Sequence, residues 1–308
     1  MSSPAQETST EGEERSRRLA EMSFVPTGRQ HGFLRGSAQS LRDVWSYREL
    51  LSLLVKRELK ARYKDSTLGF LWSLLRPLAQ LLIYYVALGK FLGAERAIPD
   101  YAIFVFTGLT AWALFSEIVA AGTGSIVANA GLVKKIYLPR EVFPLSVVGS
   151  ALFNFIVQIV ILVLATFIAG APPTGIRLLY FPLGALVLLV YGMALAFLLS
   201  AMNVYLRDIQ YLVEIMLMVL FWTTPIVYSW EQAHRQLGSG FAGHLYDANP
   251  LTSAVLAFQR AFWVAGSGTE GPPHLAVTLG WQLLAGVALL WACQRVFARL
   301  QANFAQEL

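Results

Sequence analysis

Charge is what this chain has least of. Asp, Glu, Lys and Arg make up only 14% of its 308 residues, hydrophobic residues make up 56%, and the mean hydropathy is +0.54. Soluble domains carry about 25% charged residues, so the deficit excludes a soluble enzyme and puts the chain in a bilayer. Cysteine is nearly missing too: Cys293 stands alone, which excludes any disulfide within the chain. The four histidines, His31, His234, His244 and His274, lie far apart without ligand spacing, so a metal framework is not expected. No GxxxxGK[ST] loop is present, because Gly89-Lys90 lacks both the upstream glycine and the following hydroxyl residue. If the chain's work consumes ATP, another polypeptide must bind it. Residues 1 to 30 have no apolar stretch of the secretory type. They are polar, with Glu11, Glu13 and Glu14 followed by Arg15, Arg17 and Arg18, and read as part of a disordered tail over 1–44.

Long apolar runs fill most of the rest. A membrane span needs about 20 predominantly apolar residues. Six such runs are predicted, from about Leu68 to Leu92, Tyr101 to Val127, Val142 to Ala169, Leu178 to Met202, Ile209 to Tyr228 and Leu275 to Phe297. They sit in one transmembrane domain, 45–298, followed by a short tail, 299–308. The net charge of +5 would suggest nucleic acid in a soluble chain, but here the placement of charge matters more than its total. Of the 24 Lys and Arg residues, 18 fall on one side of the six runs and five on the other, with Arg76 inside the first run. The positive-inside rule then puts both termini in the cytosol.

The segment leading into the first run carries a second pattern. Lys56, Lys60 and Lys64 share one row at i, i+4 spacing, and Leu51, Val55 and Leu59 form the row beside it. A basic face backed by an apolar one describes a helix lying in the membrane interface. It serves either as a plain anchor or as a handle that a cytosolic partner can push. On the same side, the loop from Asn129 to Pro144 holds exposed-type residues Lys134 and Lys135 between helix breakers, with room for one or two helical turns. On the other side, Asn249-Pro250 opens a run of roughly 15 residues, Phe258 and Phe262 included, that is too short to cross a bilayer. Asn as N-cap and Pro at the first helical position start a helix there, which is either re-entrant and packed on the spans or flat on the outer leaflet.

Ionisable residues inside spans are costly and therefore functional candidates. Arg76, Glu117 and Glu214 qualify; their alternatives are a cross-helix pairing such as Arg76 with Glu214, a polar subunit interface, or a proton relay. Aromatic residues reach 13% and include Trp72, Tyr84, Tyr85, Trp112, Phe221 and Trp222 within the runs. Flat apolar rings with polar handles suit the passage of sugars, although interfacial belts use the same residues.

The residues then match a known family in four places and in its order. Arg57-Glu58-Leu59-Lys60-Ala61-Arg62-Tyr63-Lys64 with Leu68-Gly69, Trp72 and Pro77 resembles the opening of ABC-2-type exporter permeases of the O-antigen, teichoic-acid and capsular polysaccharide branch. Asn129 to Leu132 with Lys134-Lys135, Pro139 and Pro144-Leu145 is similar to that family's cytosolic loop. Arg207-Asp208 with Thr224-Pro225-Ile226-Val227-Tyr228, and Asn249-Pro250-Leu251, complete the series. The resemblance implies an all-α integral membrane fold of six transmembrane helices, with an N-terminal amphipathic interface helix and short re-entrant outer gate helices. It implies a homodimer in the bacterial plasma membrane carrying two ATP-binding cassette ATPase subunits, which would hold the ATP and Mg; this chain itself would bind no cofactor and catalyse nothing. Lys56, Arg57, Glu58, Lys60, Arg62, Leu132, Lys134, Lys135 and Pro139 would couple to the ATPase. Trp72, Arg76, Tyr84, Tyr85, Trp112, Phe221 and Trp222 would line the path of a lipid-linked polysaccharide, and Asn249, Pro250, Phe258 and Phe262 would form the outer gate. The threefold excess of Arg over Lys, 18 against 6, fits GC-rich bacteria and makes a galactan the specific cargo considered. The rival reading within the family is an exporter of small lipids or drugs. A membrane glycosyltransferase would need a carboxylate cluster that is lacking.

Overall fold

A computed structural model describes residues 42, 45–63, 71–135, 138–238, 240–266, 268, 271–272 and 274–308, without the side chains of Arg62, Tyr63 and Ser73. Apart from Arg42, the expected tail over 1–44 lies outside the described residues, as do Lys64, Leu68 and Gly69 of the first motif and Ile136-Tyr137 of the cytosolic loop.

Among the described residues every regular element is helical. In chain order they are Arg48–Tyr63 (α1), Leu71–Tyr84 (α2, continuing into a π-helical stretch Tyr85–Phe91), Tyr101–Ala128 (α3), Ala130–Lys135 (α4), Val142–Ile168 (α5) and Tyr180–Tyr205 (α6, preceded by a 3-10 turn Gly175–Leu179). Then come Ile209–Trp222 (α7), Trp230–Leu237 (α8), Phe241–Ala248 (α9), Pro250–Phe262 (α10), Leu275–Leu300 (α11) and Phe304–Glu307 (α12).

Four of these, α3, α5, α6 and α11, are long and apolar enough to cross a membrane. At 1.5 Å per residue each exceeds the ~30 Å hydrocarbon layer. The centre of the bundle is α3, whose Phe104, Val105, Phe115, Ile118 and Val119 are all but inaccessible. It is apolar all round, as a helix enclosed on all sides must be. α5, α6, α7 and α10 pack around it. The crossing with α6 is very close: a Cβ placed on Gly122 would stand 2.6 Å from that of Ala196. Small residues let helix backbones approach in this way, and in a bilayer such packing replaces the hydrophobic drive.

The other two expected spans are not among these four. α7 has 14 residues and ends at Trp222, about 21 Å of helix. The fifth apolar run continues to Tyr228, but the helix does not, because Pro225 supplies no N–H and disfavours helical backbone in the residue before it. Thr224, Ile226 and Val227 instead cross α3 as irregular buried chain, with the Tyr101 hydroxyl donating to the Val227 carbonyl at 2.8 Å. Irregular backbone at membrane depth is tolerated when protein encloses it in this way. α2 contains Pro77 and has exposed Leu71, Leu75, Leu78, Leu82 and Ile83 along its length.

Two cores hold the bundle. The larger runs through α3, α5, α6, α7 and α10. The smaller gathers Leu54 of α1, Ile126 of α3, Val133 of α4, Val142 and Phe143 of α5, Phe197 of α6, Phe297 of α11 and Phe304 of α12 at one end. The last ten residues thus reach into this second core through Phe304, which is edge-on to Phe297 at 5.6 Å. At the opposite end α10 is buried on nearly every side, from Leu251 through Gln259. That packing seats it on the bundle.

Candidate functional site

The basic helix and the basic loop meet. Leu54 of α1 is buried in the smaller core, and Val55 seats against Gly149 of α5. That registration turns Lys56, Arg57 and Lys60 outward, while Glu58 is half-buried and engaged. Arg57 donates to the Asn129 side-chain carbonyl. Asn129 ends α3, donates to the Ser125 carbonyl at 2.8 Å, and accepts from the backbone of Leu132 and Val133 at the start of α4. One asparagine therefore ties α1, α3 and α4 together. Val133 is buried, Leu132 packs on the same core, and Lys134 and Lys135 are left exposed. Pro139 is buried where the chain turns into α5. The result is a fixed cationic surface of Lys56, Arg57, Lys60, Lys134 and Lys135 at one end of the bundle.

Four of the seven residues expected along the path come together in an open groove of about 300 Å³ between α2, α3 and α7. Tyr84, Trp112, Phe221 and Trp222 line it with Gln80, Ser116, Leu217 and Met218. Phe221 is the hub: it stacks on Tyr84 at 5.8 Å and meets Trp112 and Trp222 edge-on at 5.5 and 5.4 Å. Offset and edge-on pairs of this kind contribute about 0.5–1.5 kcal/mol each beyond their buried area. The wall is therefore preformed and does not have to be assembled around a ligand. Trp222 lines the groove and is half exposed.

The remaining three behave differently. Tyr85 belongs to the π-helical stretch, where Lys90 sits 5.3 Å over its ring and pairs with Glu95 at 2.8 Å. Trp72 and Arg76 are exposed on α2 outside the groove. Yet Trp72, Arg76, Gln80 and Tyr84 fall at i, i+4 spacing, as do Glu214, Met218 and Trp222 on α7. Arg76 and Glu214 thus continue the two groove-lining rows toward the end that carries α1. Both are exposed, and among the described residues they form no ion pair, which corrects the expected Arg76–Glu214 pairing. Glu117 is bonded across helices instead, accepting from the Asn154 amide at 2.8 Å.

At the far end Asn249 caps α10 as its sequence predicts, accepting from the Leu251 N–H at 3.0 Å with Pro250 at the first position. Phe258 and Phe262 do not line an opening in this state. Both are buried, edge-on to Phe181 at 5.3 Å. α8 and α9 stand beside them, joined by a bond from the Trp230 indole to Asp247 at 2.8 Å. The Tyr246 hydroxyl of α9 is pushed up from its ordinary pKa by burial, so it stays neutral.

The family model of ABC-2 type transporters matches residues 49–263. The chain belongs to the ABC-2 type transporter family. Its relatives include the O-antigen export system permease protein RfbA of Myxococcus xanthus, 31% identical over 268 residues, with 87% of this chain and 98% of the relative covered. An RfbA permease of Klebsiella pneumoniae is 29% identical, with 84% and 95% covered. The polysialic acid transport protein KpsM of Escherichia coli is 27% identical, with 77% and 90% covered. The ABC-2 match begins one residue into α1 and ends just past α10, so it spans the cationic surface, the groove and α10 alike.

Four groove residues of this ABC-2 chain escape a reading by residue type: Gln80, Ser116, Leu217 and Met218. Gln80 was within reach, since it stands four residues from both Arg76 and Tyr84. Ser116, Leu217 and Met218 carry no such signal, because all three are ordinary inside an apolar helix.

Proposed function

We propose that this chain is the membrane permease of an ATP-driven exporter that moves lipid-linked polysaccharide out of the cytosol across a bacterial plasma membrane. The observation that carries the reading is the aromatic groove. A conduit for glycan needs flat apolar faces for sugar C–H surfaces, with exchangeable polar partners between them. Tyr84, Trp112, Phe221 and Trp222 supply the faces, and Gln80 and Ser116 the partners. The relatives named for O-antigen export and polysialic acid transport support the same cargo class.

The groove opens on the surface of a single chain. Arg76 and Glu214 beside it would be costly against lipid, so this face calls for a protein partner or a wet path. A second copy placed against α2 and α7 closes two grooves into one passage of six spans per chain, with α2 and α7 as the shorter two. The cations of α1 and α4 face the cytosol with both termini. Two ATPase subunits dock there and hold the ATP and Mg. α10 with α8 and α9 caps the outer exit, and release requires Phe258 and Phe262 to part from Phe181.

The test is an export assay on cells co-expressing the chain with its ATPase partner. Trp222→Ala removes a half-exposed ring and its one edge-on contact with Phe221, so the unfolding temperature should drop only slightly, by about 1 kcal/mol of stability. Glycan export should fall about tenfold, the equivalent of losing one or two aromatic contacts, while ATP hydrolysis persists. Unchanged glycan export by both Trp222→Ala and Tyr84→Ala would remove the groove from the path. Transport confined to small amphiphiles would replace the cargo.

A further inference from the structure

A second cavity, of about 250 Å³, lies at the end of the bundle remote from α1. The 3-10 turn before α6 contributes Arg177, α6 contributes Tyr180, and α10 contributes Gln259 and Arg260, with Trp263 just beyond it. The Arg177 Nε donates to the Arg260 backbone carbonyl at 3.1 Å, which fixes its guanidinium over the cavity. The Arg260 guanidinium lies 5.3 Å over the Tyr180 ring. Neither arginine meets a carboxylate among the described residues. Two oriented guanidinium groups held at one cavity, with no carboxylate on either among the described residues, ask for an anion. Their forked donors fit a tetrahedral phosphate better than a point charge would.

The surroundings say where that phosphate sits. Ile176, on the cavity wall, is 83% exposed, and Leu179 in the same 3-10 turn is 66% exposed, so bare apolar side chains adjoin the cavity. That turn leads straight into α6, a helix long enough to span a membrane, which puts the cavity at the depth of lipid headgroups. We propose that Arg177 and Arg260 form a phosphate-binding site for the headgroup of an anionic lipid, whose acyl chains lie along Ile176 and Leu179. The site concerns a part of the molecule that neither the groove nor the cationic surface uses, and it does not depend on the cargo being a glycan.

Native mass spectrometry of the detergent-purified chain tests this with three probes: a short-chain phosphatidate, the diacylglycerol of the same chain length, and inorganic phosphate. One phosphatidate per chain should remain bound, diacylglycerol should not, and millimolar inorganic phosphate should compete only weakly. Arg177→Gln and Arg260→Gln should each weaken phosphatidate retention about tenfold to a hundredfold, the usual weight of a charge-assisted hydrogen bond, and Arg177→Lys should lose less. Thermal unfolding without lipid should change little in any variant, since Arg177 gives up one hydrogen bond and Arg260 one ring contact. Competition by inorganic phosphate as tight as by phosphatidate would keep the phosphate site and overturn the lipid source. Equal retention of diacylglycerol, or unchanged retention in both glutamine variants, would overturn the site itself. Neither result bears on glycan export.

Discussion

Replacing Gly122 with leucine is expected to abolish folded protein, whereas Gly131→Leu leaves its level unchanged. Gly122 sits where α3 crosses α6, and a single added carbon would come within 2.6 Å of the Ala196 Cβ and 3.4 Å of its Cα. Those atoms belong to or adjoin the backbone of a buried helix, so no flexible side chain can swing away. Even alanine forces the two helices apart along a crossing that also seats Gly192 against Ile118. Overpacking a tight core costs about 1–3 kcal/mol, and more when backbones must move. Against a total stability of about 5–15 kcal/mol, leucine with three further carbons is expected to exceed what the bundle tolerates. Gly131, on exposed α4, has nothing within 4 Å. Thermal unfolding followed by size-exclusion chromatography measures the difference. A stable, monodisperse Gly122→Leu protein would show that the α3–α6 crossing is loose. The reciprocal pair supplies a second check, because Gly122→Ala with Ala196→Gly should recover much of the loss by restoring the combined volume.

Features governed by composition and periodicity are legible in the amino-acid sequence itself. Apolar runs of span length mark α3, α5, α6 and α11, because a bilayer imposes that length whatever the packing. The Asn249-Pro250 start of α10 is equally legible, since capping chemistry is local. The end of α7 is misjudged by hydropathy, although Pro225 signals it: apolar residues continue past the proline and mask the break. The groove is half legible. Aromatic residues can be picked out by type, but only the crossing of α2, α3 and α7 separates Tyr84 and Trp112 from Tyr85, which a one-residue step turns toward Lys90. The tie from Arg57 to Asn129 joins positions 72 apart in sequence, and nothing in either segment announces it. Arg177 and Arg260, 83 apart, form a pair on the same terms.

The basic end of the bundle offers the sharpest separation of function from fold. On the proposed function, reversing both Lys134 and Lys135 to glutamate is expected to abolish export and loosen the proposed ATPase partner, with thermal unfolding unchanged. Both side chains are exposed on α4, so the core beneath them loses nothing. The helix itself is held from below by Val133 in the smaller core and by Asn129 at its start. An acidic docking surface facing two reversed charges meets like-charge repulsion of several kcal/mol, or roughly a hundredfold or more in affinity. Lys134→Ala with Lys135→Ala removes attraction without adding repulsion and should fall between the two. Leu132 behaves otherwise. It packs against the smaller core, so Leu132→Ala should lower stability by about 1–2 kcal/mol, less than the 2–5 of a fully buried leucine, and its effect on export mixes fold with docking. Affinity co-purification with the ATPase, read beside thermal unfolding, distinguishes the three. Should the double glutamate variant retain its partner and export at the original rate, force does not enter through α4, and the exposed face of α1, with Lys56 and Lys60, becomes the surface that receives it.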